Sequence, residues 1–512
     1  MEKPVRELKL INKLGFSCYQ ISTVTDTLVN AWQMYFYTTF CNISIVMITS
    51  VLAASKLISA FLTPVMGSIS DNLYKTKFGR KFGRRKALLL ISIPFKVLTF
   101  PLYWIPDMPT IYYATLLIVT AFVNPLAIVS QGTFAAEMTR TPSERAQLAG
   151  LNQVGAAIAG ISSSMATVYF FSVFGDKNPM TFFIAAIVYD LVSLVMLVLF
   201  YLSVFERPMD EALLQAAQSR PSLLQHFVTI GRDFSSAIKL RAYRLYLGMY
   251  LSEQMFRSLA GTINTYFIVF VLMLNPKVVS VSTSMGFVFG IAFLTFHIWL
   301  TAKTNGNVTY RLGGIGAIIV LLGFLYLGVV KPAHMEILLI TFIVAMNFGK
   351  AGLVNAMQYT FAFIPDIDEV MTGRRREGVY SGVSNFLDVL FTTLEVLIVG
   401  VLLEATGFVK NSASQPQSTI DALLILYTIV PIIMIIIGIA ISFRFRLDRK
   451  VHKILAEEVQ RLKNGGSKAD VSDEAKAVVE DLTGFAYDKC WGNNDLLCCE
   501  VKNQPVHSTV VK

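Results

Sequence analysis

Long apolar stretches separated by short polar turns fill the chain from residue 15 almost to residue 450. Segments of spanning length fall at 15–41, 44–70, 87–105, 109–136, 147–175 and 179–205. After a polar interval they resume at 244–273, 279–302, 312–331, 335–364, 377–408 and 419–443. A helix of about 20 apolar residues crosses the hydrocarbon core, so the pattern predicts an all-α membrane protein with twelve transmembrane helices. The interval 206–243 carries Arg207, Asp210, Arg220, Arg232 and Lys239 and reads as a cytoplasmic linker. It divides a six-helix bundle over 1–205 from another over 244–447, with a cytoplasmic tail over 448–512. Two such halves around a central pathway are a recurrent transporter plan.

Composition removes the soluble alternatives. Of 512 residues 54% are hydrophobic and 15% charged, against about 25% charged in a soluble domain. The net charge of +10 does not call for nucleic acid, because its distribution follows the membrane. Lys75, Lys77, Arg80, Lys81 and Arg84–Lys86 lie between spans two and three, Arg374–Arg376 between ten and eleven, and Arg444, Arg446, Arg449 and Lys450 after span twelve. The alternate loops hold at most a lone Lys. By the positive-inside rule both termini are cytoplasmic, in a multi-pass protein of the cell membrane. Basic residues precede the first apolar segment, which has no small-residue cleavage site and so reads as a span. The five cysteines show no metal-like spacing and read as free thiols. Pro64, Pro94, Pro101, Pro125, Pro365 and Pro431 interrupt spans, and Gly286-x-x-x-Gly290 reads as helix packing. In the tail, Leu455, Val459 and Leu462 recur at helical spacing before a hinge at Asn464–Ser467.

Three loops carry motifs. After span two, Gly67-Ser-Ile-Ser-Asp71 precedes the basic run ending Gly83-Arg84-Arg85-Lys86. An acid one turn from a helix end, facing Arg and Lys, can form an ion-pair latch that breaks and re-forms as two bundles rock. After span four come Glu137-Met-Thr and Glu144-Arg145. Between spans ten and eleven stands Asp366-Ile-Asp-Glu369-Val-Met-Thr372-Gly373-Arg374-Arg375-Arg376-Glu377-Gly378. The first layout resembles the signature loop of the major facilitator superfamily. The third resembles its melibiose-permease-like branch, the glycoside–pentoside–hexuronide:cation symporters. The resemblance covers most of residues 10–450. It implies alternating access and uptake of a sugar or glycoside with a cation. Gly67, Asp71, Arg84, Arg85, Glu137 and Arg145 would then gate one half, and Asp366, Glu369, Thr372, Gly373, Arg375, Arg376 and Glu377 the other, as a second latch.

The transport site departs from that family. Where relatives place two Asp residues before a Pro in span two, to coordinate the cation, this chain has Ser59 and Thr63 before Pro64. Ile128, with Ser130 and Gln131 following, stands where a span-four Asp is common. Gln153 replaces an Arg, and Asp388 lies at or beside the place of a Lys. Ionisable groups at membrane depth cost a few kcal/mol each and face a cavity or a partner. Asp26, Lys56, Lys96 and Asp190 are those of the first half. Asp26 lies about a turn from where relatives carry a sugar-binding acid, and an Asp26–Lys56 pair is expected, with Lys96 snorkelling. In the second half Glu253 and Arg257 stand at i,i+4, and Asp388 and Glu395 share a face. Trp32 is a candidate for stacking on a sugar ring beside a carboxylate. His297 is expected to make a structural hydrogen bond.

These residues read as a symporter for a sugar, glycoside or sugar acid. No cofactor or metal is expected, no enzyme constellation is present, and the protein is read as monomeric in the bilayer. With Ser59 and Thr63 in place of carboxylates, H+ is preferred to Na+ as the coupling cation, carried by Asp26 or Asp388. Two rivals stand beside this reading: the same fold moving another organic solute or anion, and a solute sensor that signals without transport.

Overall fold

In a computed structural model of the chain, residues 8–139, 142–206, 231, 234–374, 376–412 and 414–492 are described, apart from the side chains of 68, 71, 72, 136, 142, 143, 145 and 146. Among the described residues there is no strand. Twelve crossings follow in order. The first is α1 (Leu10–Ile21) and α2 (Val24–Thr39), and the next is α3 (Ile45–Asn72). A short basic helix α4 (Lys77–Phe82) leads into α5 (Arg84–Thr99), and α6 (Thr110–Met138), α7 (Pro142–Phe174) and α8 (Pro179–Ser203) complete one bundle. The second bundle holds α9 (Arg241–Tyr266), α10 (Lys277–Lys303), α11 (Gly306–Val330), α12 (Met335–Phe361) with its short continuation α13 (Ile364–Thr372), α14 (Glu377–Ala405), and the split crossing α15 (Gln417–Tyr427) and α16 (Ile429–Arg444).

Ten of these segments are long and apolar enough to span by composition alone. The other two are the crossings that carry chemistry. The first is broken at Ser22 and Thr23, and α9 is polar, holding Glu253, Gln254, Arg257 and Asn264. The break puts Asp26 in the first turn of α2, where the free N–H groups of a helix start stabilise a carboxylate. Of the expected interruptions, Pro64, Pro94 and Pro125 lie inside unbroken α3, α5 and α6, whereas Pro365 opens α13 and Pro431 follows the break of the twelfth crossing at Thr428. The neighbouring turn can satisfy the carbonyl that each proline frees. Where a close approach is needed, glycines supply it. A Cβ on Gly313 of α11 would stand 2.9 Å from the Cα of Gly352 in α12.

The hydrogen bonds described between the two bundles all lie toward one end, the end with few charged loops. There Thr38 and Tyr266 join hydroxyls at 2.7 Å, Thr265 donates to the Ala31 carbonyl at 2.5 Å, and the Asn411 amide donates to the Thr38 carbonyl at 2.9 Å. Tyr35 packs on Tyr266 and Phe270, and the side of Gly400 in α14 is filled by Thr49 of α3. Neutral hydrogen bonds and aromatic contacts, the latter about 0.5–1.5 kcal/mol each, close this end.

The tail folds back beneath the second bundle. Helices α17 (Arg449–Lys463) and α18 (Asp473–Thr483) pack on α13 and the start of α9. Leu455, Val459 and Leu462, spaced as the amphipathic pattern required, join the main core with Val479, Leu482 and Tyr487. Gly465 turns the chain with φ +85°. Burial favours the neutral acid at Glu458, but the Arg461 guanidinium at 2.8 Å and the Tyr487 hydroxyl hold its carboxyl below the ordinary range. This contribution to docking is therefore complete above the unfolded value and lost as pH falls through the depressed one. Cys490 is buried, and burial pushes its thiol up to about 11.

In a variant with the other four cysteines replaced by Ser, Cys490 should resist maleimide at pH 7.5. Leu455→Asp, which buries a charge in an apolar contact, should release the tail and speed that labelling at least tenfold. Rapid labelling of the undisturbed tail would show that it does not dock.

Candidate solute pathway and gating loops

Three cavities lie between and within the bundles, two at mid-depth and the third nearer the basic-loop end of the second bundle. One, of 260 Å³, is lined by Asp26, Asn30, Ser55, Lys56, Lys96 and Tyr103 among others. A second, of 300 Å³, draws Thr27, Asn30 and Ala31 from α2 and Asn264, Asn347, Lys350 and Tyr427 from the other bundle. The third, of 270 Å³, holds Tyr250, Glu253, Gln254 and Arg257.

The charges in these cavities are arranged differently from the expected pairs. The carboxylate of Asp26 stands 3.8 Å from Lys96, not within ion-pair distance of Lys56. Lys96 therefore does not snorkel, because α5 turns it into the cavity. Lys56 is exposed to the same space, and the carboxylates acting on it are Glu395 and Asp388 of α14, across the bundle boundary. Glu253 and Arg257 pair at 3.4 Å, with Glu253 buried and Arg257 half exposed to the cavity. The Arg257 guanidinium also donates to the Gln254 side-chain oxygen, while the Gln254 amide donates to Asp388 at 2.8 Å. A continuous polar chain thus runs from Glu253 to Asp388 and joins α9 to α14. Both oxygens of Glu395 lack a hydrogen-bond partner among the described residues.

Other predicted site residues do not reach these cavities. Trp32 is 2% exposed and packs edge-on against Phe171 at 5.0 Å and Phe182 at 5.8 Å, so it belongs to the core and cannot stack on a solute. The Ser59 hydroxyl donates to the Ala121 carbonyl at 2.9 Å, and Thr63 donates to the Ser59 carbonyl at 2.7 Å. Gln131 and Gln153 line none of the three. His297 bonds the Phe348 carbonyl at 3.0 Å, as a structural histidine does. Lys350 was missed, although a lysine amid Asn-Phe-Gly and Ala-Gly in mid-span was a visible signal. Asn30, Gln254, Asn264 and Asn347 were passed over because a neutral amide in a span is unremarked by charge alone. Gly286, read as plain helix packing, lines the second cavity, and a Cβ there would meet the Asn347 amide at 2.8 Å.

The basic loops are tied inside each bundle. Gly83 has φ +90° and starts α5. Glu206, just past α8, accepts from the N–H groups of Arg84 at 2.9 Å, Arg85 at 2.8 Å and Lys86 at 2.6 Å. Glu137 at the end of α6 takes Arg84 at 2.7 Å and lies 3.7 Å from Arg85. Three helix ends are clamped at one point. In the other bundle the partner of Arg376 is Asp368, at 2.6 and 2.8 Å with Tyr380 donating to the same carboxylate at 2.7 Å. Of the acids assigned to the second latch, Asp366 meets His452 at 2.9 Å and Glu369 meets Lys463 at 2.8 Å, both on the tail. Of the loop's three acids, Asp368 turns to Arg376 within the loop, whereas Asp366 and Glu369 leave α13 toward α17. Gly373 closes α13 in the left-handed region, Thr372 caps it, and Glu377 opens α14. Gly67 lies within α3. The side chains of Asp71 and Arg145, and Arg375 altogether, lie outside the described residues.

A family profile for MFS/sugar transport proteins matches residues 20–449. The chain belongs to that family, and its two six-helix bundles have the major facilitator fold. It is a multi-pass membrane transporter and not an enzyme. It is 21% identical to the symporter YnaJ of Bacillus subtilis over 90% of this chain and 96% of the relative. It is 24% identical to the isoprimeverose transporter of Lactiplantibacillus pentosus over 89% and 91%. Its fold matches the structure of a bacterial homologue of the human drug peptide transporters PepT1 and PepT2, with TM-score 0.58, 13% identity, and coverage of 88% of this chain and 98% of that one.

Glu206→Ala removes an ionised acceptor from three N–H groups at once. A lost cap costs about 0.5–2 kcal/mol, and charge-assisted bonds stand at the upper end. The variant should melt several degrees lower in detergent, whereas Glu206→Asp should recover part of the loss. An unchanged melting temperature for Glu206→Ala would contradict the clamp.

Proposed function

We propose that this transporter moves a sugar, glycoside or sugar acid by alternating access, as a symporter. The observation that carries the reading is a pair of mid-depth polar cavities lined from both bundles, which among the described residues are hydrogen-bonded to one another at a single end. The isoprimeverose transporter among its relatives supports a glycoside-sized solute. Asp26, Lys56, Glu253, Arg257 and Asp388 are the residues assigned to solute or coupling, and the clamps at Glu137 and Asp368 are assigned to gating. With the basic loops facing the cytoplasm, both termini are cytoplasmic and the conformation is inward-facing.

For the driving ion, the proton is assigned. Na+ at membrane depth needs hard oxygen ligands with negative charge. Around Ser59 and Thr63 the oxygens are neutral, and their hydrogens are directed to backbone carbonyls. Asp26 keeps one cavity-facing carboxylate next to a lysine, an arrangement in which a proton can be exchanged for a salt bridge.

Reporters that fluoresce or are active only in the cytoplasm should give the inside signal when fused at either end of the chain. Opposite signals at the two ends would break the assignment of twelve crossings with cytoplasmic termini.

In proteoliposomes, uptake of a transported sugar should persist when choline replaces Na+ at fixed pH and should respond to an imposed pH gradient. Asp26→Asn should abolish the pH response while leaving solute exchange. A many-fold loss on removing Na+ would refute proton coupling.

A further inference from the structure

We infer that the cavity beside Lys350 is a subsite for an anionic group, a carboxylate or sulfonate carried on a monosaccharide-sized solute. The inference rests on the reading of the protein as a carbohydrate transporter and adds the charge of its cargo.

Lys350 stands near the middle of α12 and lines the 300 Å³ cavity. No ion pair or hydrogen bond of its ammonium occurs among the described residues. The acid acting on it is Glu253, but that carboxylate is already bridged to Arg257 at 3.4 Å. No Asp or Glu lines this cavity. An ammonium at such depth costs a few kcal/mol unless something offsets it, and further hydrogen-bonding side chains line the same space. Tyr427 donates to the Asn264 side-chain oxygen at 2.8 Å, which leaves the Asn264 NH₂ as a donor. A lysine ammonium offers three donors and no acceptor. Asn30, from the opposite bundle, adds its amide.

The adjoining cavity differs in carrying a carboxylate beside its lysines. It contains Asp26 together with Lys56 and Lys96, and Asn30 lines both spaces. A pyranose with its acidic group at Lys350 would turn its hydroxyls toward Asn30 and the mixed-charge side, where carboxylate and amide oxygens accept. The volume is at the lower limit of small-molecule pockets, about 300–1,000 Å³, which suits one ring better than an oligosaccharide. A neutral sugar in the same place would leave the lysine without a counter-charge.

Equilibrium binding to the purified protein tests this with glucuronate, a 6-sulfonated glucose and methyl glucoside as probes. Both acidic sugars should bind at least tenfold more tightly than methyl glucoside. Lys350→Met should bring them down to the neutral level, and Lys350→Arg should keep most of the preference. Methyl glucoside binding as tightly as the acids, or glucuronate binding unaltered by Lys350→Met, overturns the subsite while leaving a carbohydrate transporter. If none of the three probes binds and no neutral glycoside is taken up, both the subsite and the carbohydrate reading fall. Should Lys350→Met not fold, the wild-type preference among the three probes decides the question by itself.

Discussion

The constraint that organises this protein is the cost of placing charge at membrane depth. Each ionisable side chain there must find a partner or line a space that water and solute enter. The structure uses both solutions in one place. Asp26 is set against Lys96 at the start of a half-helix, and Glu253, Arg257, Gln254 and Asp388 form a connected chain across α9 and α14. Among the described residues Lys56, Asp190, Lys350 and Glu395 have no direct ion pair. Asp26, Lys56, Lys96 and Lys350 line cavities to which both bundles contribute, so the polar pathway follows the seam along which the bundles move.

Hydropathy made the crossings legible because each apolar segment has the length a bilayer demands. The polar linker, the positive loops and the motif at 366–378 together pointed to the fold. What the linear pattern does not carry is azimuth, the direction in which a side chain leaves its helix. Lys96 and Lys56 are equally deep in the sequence, but the turn at Ser22–Thr23 rotates Asp26 toward α5, and Lys96 becomes its neighbour. Trp32 looked suited to a sugar because it is near Asp26 in sequence. Six residues on a helix is about 600°, far from the same face, and its ring is buried against α7 and α8. Lys350 was hidden by its small-residue setting, which reads as close helix packing. Gly349 and Gly352 do pack that way, and the lysine between them looks into the cavity instead.

Loop charges posed a different problem. A cluster of Asp, Glu and Arg in one loop invites pairing within the loop, yet local sequence distance is a poor guide when a short helix intervenes. Helix α13 has an amphipathic surface that presents Asp366 and Glu369 to the tail, while Asp368 is directed inward to Arg376 and Tyr380. The tail itself showed its apolar stripe plainly. Its docking site was not visible, because the stripe specifies a surface to be covered and says nothing of which element covers it.

These arrangements bear on how the two halves move. The ion pairs described at the basic end close within a bundle: Glu137 and Glu206 bind the start of α5, and Asp368 with the tail contacts binds α13 to α14 and α17. Charged, partly buried contacts of this kind are expensive to break, since removing one partner leaves the other charge uncompensated. The contacts that bridge the bundles are of another kind, hydroxyl pairs and ring edges such as Thr38–Tyr266 and Tyr35–Phe270. A hydroxyl pair can be exchanged for water at net cost near 1 kcal/mol. Strong bonds within each half and weak ones between them give two stiff bodies on a compliant seam. The cheapest motion of such an object is rotation of one bundle against the other about the mid-depth cavities, which exposes those cavities to either end in turn.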